Sequence, residues 1–386
     1  MRVLLVMTAR EVGGAELYVE RLTRTLSSRC HFTIVLPTHP HVEALAQRLA
    51  GHTQVIRLAI EDQQRLPTAV REVRALARQA DVVHLNSNHP GSRLGILFGF
   101  ALSHAGPPLT CVEQRVSPLD DIIVPRALRP FLPHLFRWSR QGAARVIAVS
   151  RQNAELLTIY YGLRADKITI VHNGTDLPDF KESDVALARA ALRAELGLPE
   201  QAIVILTLAR LAPNKGHCYL IEAMPEVLRA HPNAHLVFAG QPDQAEPIIA
   251  RIEALGLQPH VHLLGFRSDT QQLLAASDFF ALPSLAEGFS LALVEALTVG
   301  LPTVATDVGG ASEVIQPGQG GILVPPANSA ALAAALNHLL SLDEAEVQRQ
   351  RQAARRAAQL FSTQAMAEKT LRVYSEVVHQ NRSKHA

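Results

Sequence analysis

A chain of 386 residues exceeds what one hydrophobic core usually serves, so two domains are expected. With 48% hydrophobic and 19% charged residues it has the balance of a globular protein with large cores, which excludes a disordered or fibrous chain. The net charge of +2 hides an asymmetry. Residues 1–175 hold 21 Lys/Arg against 13 Asp/Glu and residues 176–386 hold 16 against 22, so an anionic partner is expected on the N-terminal side.

In chain order, residues 3–8 read as a buried strand better than as a signal peptide, and a helix at 15–27 follows a glycine-containing loop. Strands at 32–37, 55–58, 82–85, 109–114 and 146–150 alternate with helical segments at 42–49 and 69–80. Such alternation predicts a parallel sheet. Asn173-Gly174 followed by Pro178 breaks the pattern and marks a domain junction. The alternation then restarts, with strands at 203–209, 236–240, 261–264, 278–282 and 303–306. Helices near 215–230, 245–255, 268–276 and 290–299 lie between them. The last segment, about 343–380, reads as helical, and Ala367, Leu371, Tyr374 and Val378 fall at a spacing that needs a partner surface.

Three isolated cysteines, Cys30, Cys111 and Cys218, carry neither metal spacing nor a disulfide framework, which suits a reducing cytoplasm. Cys218 reads as a small core residue of a helix. The longest apolar stretch, 94–102, is far short of the roughly 20 residues that span a bilayer, so a soluble or peripheral protein is expected.

The densest chemical signal is Glu287-Gly288-Phe289-Ser290-Leu291-Ala292-Leu293-Val294-Glu295. It follows a buried strand that stops at Pro283. Backbone N–H groups at such a helix start bind phosphate. The two carboxylates, roughly 10 Å apart along a helical rise, suit a nucleotide-diphosphate sugar, with one acid at the sugar and one at the ribose hydroxyls. Arg210, at the end of the strand at 203–209, and Lys215, at the next helix start, are placed to clamp a pyrophosphate and stabilise charge as it leaves. Solvated surface cations are the alternative reading of that pair. Gly13-Gly14 supplies a close-approach loop without the dinucleotide fingerprint. Gly309-Gly310 and Gly318-Gln319-Gly320-Gly321 read as structural punctuation. Asp120-Asp121 reads as a solvated loop, and no Asp-x-Asp or histidine cluster is placed to hold a divalent ion, so neither metal nor other cofactor is expected.

The stretch at 122–138, which contains Arg126, Arg129, Arg137 and the sole tryptophan, Trp138, mixes arginines with large apolar groups. It suits either an interfacial segment on anionic lipid or an amphipathic helix covering a sheet.

Glu-x7-Glu after a strand resembles the signature of the family 4 glycosyltransferases, the retaining family with the GT-B fold. Gly13-Gly14-Ala15-Glu16, Asp81-Val82-Val83-His84, Val146-Ile147-Ala148-Val149-Ser150, His172-Asn173-Gly174-Thr175-Asp176 and the Arg210 to Gly216 stretch match in the same order. The resemblance covers residues 1 to about 378. It implies two Rossmann-like, doubly wound α/β domains facing a central cleft. Residues 1–175 would form an acceptor domain, joined by a C-terminal helix at about 363–386, and residues 176–362 a nucleotide-sugar donor domain. It places Gly13 and Gly14 beside the donor phosphate, and Arg210, Lys215, Glu287, Gly288, Phe289, Ser290 and Glu295 on the donor.

Many relatives carry a histidine where this chain has Gln114 or, with a one-residue slip, Glu113. The resemblance therefore implies that Gln114 positions the sugar and transfers no proton, the leaving phosphate taking the acceptor proton. The implied activity is retaining, metal-independent transfer of a hexosyl group from a UDP- or GDP-sugar to a glycan or lipid-linked hydroxyl. That would serve surface polysaccharide or lipopolysaccharide assembly at the inner face of the membrane, without nucleic acid as a partner. A nucleotide-sugar epimerase and an inactive sugar-binding relative are the alternatives.

Overall fold

Short runs of Val, Ile, Leu and Phe, apolar on both faces, become central parallel strands because helices cover each side. The structure, a computed structural model, describes all residues except 9–12, 90–91, 117–125, 177–179, 317, 319 and 386, and not the side chains of 126–128, 384 and 385. The expectations for Asp120-Asp121, Pro178, Gln319 and the start of the 122–138 stretch fall outside the described residues.

The chain divides into two units, Met1–Gly174 with Thr363–Ala386, and Thr175–Ser362. In the first, the strands are β1 (Arg2–Met7), β2 (His31–Pro37), β3 (Gln54–Leu58), β4 (Val82–Ser87), β5 (Leu109–Glu113), β6 (Ala143–Ala148) and β7 (Ile168–Ile170). They form one parallel sheet in the order β3-β2-β1-β4-β5-β6-β7. Leu4, Val83, Leu85, Cys111 and Val146 pack against Phe98, Leu102 and Phe136 from covering helices. The helix Thr363–His385 lies on the helix Gly14–Leu26 and on β4, burying Ala367, Leu371 and Tyr374. The Tyr374 hydroxyl meets Nδ1 of His84, whose imidazole burial pushes down to about 3.

In the second unit, β8 (Ile203–Leu208), β9 (Ala234–Ala239), β10 (Val261–Gly265), β11 (Phe279–Leu282), β12 (Thr303–Thr306) and β13 (Gly321–Val324) form a parallel sheet. Its order is β10-β9-β8-β11-β12-β13. Ile205, Phe238, Ala281 and Val304 face Leu220, Met224 and Leu336 in its core.

Each sheet reverses strand order once, at β1/β4 and at β8/β11. In doubly wound sheets, the loops after the strands diverge at such a reversal and leave a crevice for ligand.

The segment at 343–380 holds two helices, Glu344–Ala358 and Thr363–His385, separated by a turn at Gln359–Phe361, where the chain leaves the second unit. One expectation needs correction. β8 stops at Leu208, so Arg210 lies two residues beyond the strand end.

Candidate functional site

The second unit gathers most of the predicted residues at its strand-order reversal. Because β11 pairs with β8 in parallel, the loops following both strands emerge on the same edge. Lys215 closes a one-turn 3-10 helix, Pro213–Lys215, just before the helix His217–Ala230. Its Nζ donates to Glu287 Oε1 at 2.7 Å, and the side chains are only 18% and 12% exposed. Ser284 Oγ donates to the same oxygen at 2.7 Å. Glu287 sits in the loop before the helix Leu291–Val299 and not in its first turn. The pair is thus a preset ion pair beside a helix N-terminus, where Ser290 caps by accepting from the Leu293 amide at 3.3 Å.

Three glycines make that approach possible, two of which sequence reasoning passed over or read as punctuation. Gly216 has φ +66°, and a Cβ there would lie 2.0 Å from the Pro283 carbonyl oxygen. Gly309 has φ +61°, and its Cβ would meet the carbonyl oxygens of Glu287 and Gly288 at 2.7 and 2.8 Å. The Gly310 amide donates to the Gly288 carbonyl at 3.0 Å, so the Gly309-Gly310 turn is packed onto the acidic motif. Gly240 brings its loop against the Ala209 carbonyl, where a Cβ would stand 2.0 Å away. Asp243 in that loop receives Arg210 Nη1 at 2.7 Å, with Arg210 48% exposed. The two cations are therefore held by two different carboxylates.

Glu295 lies mid-helix, and its Oε1 accepts from the Thr175 hydroxyl at 3.3 Å. Phe289 is buried, with its ring centroid 5.4 Å from that of Phe361. Ser284 had no motif to announce it, and Thr175 stood in the His172 to Asp176 stretch without a role, since only the folded loops bring them to the acids.

In the first unit the other predicted residues converge on the β1/β4 reversal. Gly13, exposed, precedes the helix Gly14–Leu26, and its amide donates to Glu16 Oε2 at 2.7 Å. Asn88 Nδ2 reaches Glu16 Oε1 at 3.3 Å, and Asn86 Nδ2 reaches the Ala15 carbonyl at 3.2 Å. Gln114 is 7% exposed and sits in a chain of amides. Its Nε2 donates to Asn86 Oδ1 at 3.0 Å, and its Oε1 accepts from Asn173 Nδ2 at 3.0 Å. Glu113 points the other way. It forms a fully buried ion pair with Arg140 at 2.7 Å, and Arg140 also donates to the Gly95 carbonyl. Burial pushes the Glu113 carboxyl up, against the opposing pull of Arg140.

Trp138 lies on the helix Leu132–Arg140, half exposed, and stacks on Phe100 with ring centroids 4.1 Å apart. The helix buries Leu132 and Phe136 and exposes Leu135, Arg137 and Trp138. A recess of about 480 Å³ beside it is lined by Arg74, Phe100, His104 and Trp138 among others. Among the described residues, no helix is long and apolar enough to cross a membrane.

Comparison with known proteins decides the family. Residues 12–178 match the Glycosyltransferase Family 4 model, and residues 188–357 match Glycosyl transferases group 1. The D-inositol 3-phosphate glycosyltransferase of Streptomyces scabiei is 30% identical over 320 residues, covering 78% of this chain and 69% of that protein. The chain belongs to the group 1 glycosyltransferases. The chain is also 29% identical over 238 residues to the Escherichia coli UDP-Gal:alpha-D-GlcNAc-diphosphoundecaprenol alpha-1,3-galactosyltransferase, covering 60% of this chain and 58% of that one. It spans only about half the length of other curated relatives, 51%, 40% and 54% in three of them. Among solved structures, Anabaena Alr3699/HepE in complex with UDP-glucose superposes with a TM-score of 0.80 at 26% identity, over 97% of this chain and 100% of that one. The two parallel-sheet, Rossmann-like units are those of the GT-B glycosyltransferases.

Proposed function

We propose that this glycosyltransferase moves a hexosyl group from a nucleotide-diphosphate sugar to a hydroxyl of a glycan or lipid-linked acceptor, with retention at the anomeric carbon and without a metal ion. The observation that carries the reading is the Lys215–Glu287–Ser284 cluster at the β8/β11 reversal, beside a capped helix N-terminus. UDP is the favoured nucleotide, since the Anabaena relative binds UDP-glucose. A lipid-linked acceptor in surface polysaccharide assembly is favoured by the name of the E. coli relative.

In this mechanism Lys215 and Arg210 bind the diphosphate, and the amides before Leu293 add partial positive charge. Glu295 takes the ribose hydroxyls. Glu287 holds Lys215 in place and faces the donated sugar. The bond from the anomeric carbon to the diphosphate oxygen breaks while the acceptor oxygen bonds to that carbon on the same face. The departing phosphate oxygen takes the acceptor proton, so no protein base is required. Cations aimed at the leaving oxygens stabilise charge where it develops. The second unit serves as donor domain. The first, with Gly13, Gly14 and Gln114, serves the sugar and acceptor, and its Trp138 face makes peripheral contact with the cytoplasmic side of an anionic membrane.

The test is turnover of UDP-sugars with polyprenyl-diphosphate-linked and free glycan acceptors, with NMR of the product anomer, in EDTA. Acceptor-dependent release of nucleoside diphosphate with a retained anomer is expected. An inverted anomer or loss of activity in EDTA refutes the mechanism. Conversion of the sugar without acceptor would make the protein an epimerase, and binding without turnover a scaffold.

A further inference from the structure

Thr175 is the first residue of the second unit and Ser362 its last, so the chain enters and leaves that unit at these two places. The two crossings are bonded to each other. Thr175 and Ser362 form an isolated parallel bridge, and the Thr175 amide donates to the Phe361 carbonyl at 2.9 Å. Both also touch the acidic motif: the Phe361 ring packs on Phe289, and the Thr175 hydroxyl donates to Glu295 Oε1. Thr175 is 1% exposed, so its hydroxyl does not exchange this contact for bulk water.

We infer that Thr175 is a positioning residue for ribose recognition: its hydroxyl orients the Glu295 carboxylate toward the vicinal hydroxyls of the nucleotide. This rests on the reading that Glu295 takes the ribose. A glutamate carries three side-chain torsions, and gripping two adjacent hydroxyls requires the carboxylate plane to be set. A donor on one oxygen sets it before ligand arrives, which removes part of the ordering cost of binding. At 3.3 Å the bond is longer than the usual hydroxyl–carboxylate contact of about 2.7 Å. Contacts of this kind tighten when a ligand fixes the group. The backbone of Thr175 is anchored independently through Phe361, so the side chain can be changed without releasing the crossing.

The experiment is calorimetric titration of the full chain with UDP and GDP and with their 2′-deoxy counterparts. The proteins are wild type, Thr175→Val, Thr175→Ser and Glu295→Gln, with thermal melts as a control on folding. Wild type should prefer the ribonucleotide. Thr175→Val, equal in shape, should weaken ribonucleotide binding about 3- to 10-fold, the effect of one hydrogen bond. It should leave the deoxynucleotide within twofold, so that discrimination shrinks. Thr175→Ser should restore it, and Glu295→Gln should abolish it. Undiminished discrimination in Thr175→Val, or equal losses on both ligands, would overturn the positioning role while leaving that of Glu295 intact. Discrimination that survives in Glu295→Gln would instead overturn the ribose reading itself, as would failure of both nucleotides to bind.

Discussion

The Lys215–Glu287 pair can be dissected by a double-substitution cycle, because the structure makes each residue's charge the other's environment. Lys215 Nζ and Glu287 Oε1 are 2.7 Å apart. At an effective dielectric constant of about 20, that separation gives a gross attraction of about 6 kcal/mol. Desolvation of two largely covered side chains offsets most of it, leaving a net value on the order of 2 kcal/mol. Lys215→Ala should remove one charge-assisted contact to the diphosphate, about 1.5–3 kcal/mol or roughly 10- to 150-fold in affinity. It also leaves the Glu287 carboxylate without its cation, facing an anionic ligand. Glu287→Gln has the opposite sign for the nucleotide: it frees Lys215, so affinity for nucleoside diphosphate should hold or rise while turnover falls. In the double variant the bare carboxylate is gone, and affinity should recover about fivefold from the Lys215→Ala level, a coupling on the order of 1 kcal/mol. Calorimetric titration with UDP, with turnover measured in parallel, reads all four corners. Unchanged affinity in Lys215→Ala, or strictly additive losses, would refute the reasoning that this pair is poised for a diphosphate.

Glu295→Gln should chiefly weaken the donor, raising KM with little change in kcat, since a ribose contact is made equally in ground and transition states; the same kinetic pattern in Glu287→Gln would undo the division of roles. His217 is buried in T-shaped contact with Phe238, and burial, with the Lys215 charge nearby, holds its imidazole down to about 4. An imidazole kept neutral in the fold and titrating normally when unfolded contributes stability above pH about 6.5, lost as pH falls toward 4. The loss is about 3 kcal/mol over that window; His217→Phe should flatten the fall in melting temperature there, and an unaltered pH profile would show that His217 does not drive it. Binding to anionic vesicles through Arg129, Arg137 and Trp138 should weaken at high salt, and Arg137→Glu with Trp138→Ala should reduce it further; equal partition onto neutral vesicles would reject a charge-assisted surface.

How far the fold was legible follows from element length and burial. β1, β8 and β11 are apolar on both faces, and such runs declare themselves. β7 and β13 are short edge strands, only partly buried, so their runs are less plainly apolar, and neither was foreseen. The break at Gln359–Phe361 has no proline or glycine to mark it and helical residues continue on both sides, so a boundary near 362 was implied by the resemblance and not by the local sequence. At the site, the acids and cations stood out by type and spacing. Their supports did not. Ser284 matters only because its loop folds back to Glu287, and Gly309 looked like a turn because its close packing against the Glu287 and Gly288 carbonyls depends on a partner 22 residues earlier in one case. Pairwise chemistry between distant loops has no period and no local signature.

The choice between Gln114 and Glu113 shows how geometry redirects a motif argument. Both follow or end β5, one residue apart, and adjacent residues of a strand face opposite sides. Glu113 faces the covering helices, where its pairing with the buried Arg140 guanidinium occupies it. A carboxylate committed in this way makes a poor sugar ligand, and removing its charge would strand Arg140 in an apolar core. Glu113→Gln should therefore destabilise the first unit by about 3 kcal/mol or more, as for a broken buried pair. Gln114 instead links Asn86, in β4, to Asn173, at the end of the first unit. That chain fixes the amide's orientation, and a fixed amide beside the β1/β4 reversal is suited to holding a sugar hydroxyl. Gln114→Ala should cut turnover roughly 10- to 100-fold, because small misplacement of a reacting group is costly. The melting temperature should fall far less than for Glu113→Gln, and Gln114→His should keep activity. Full activity in Gln114→Ala would make the amide chain structural only; activity lost in strict proportion to folded protein would say the same.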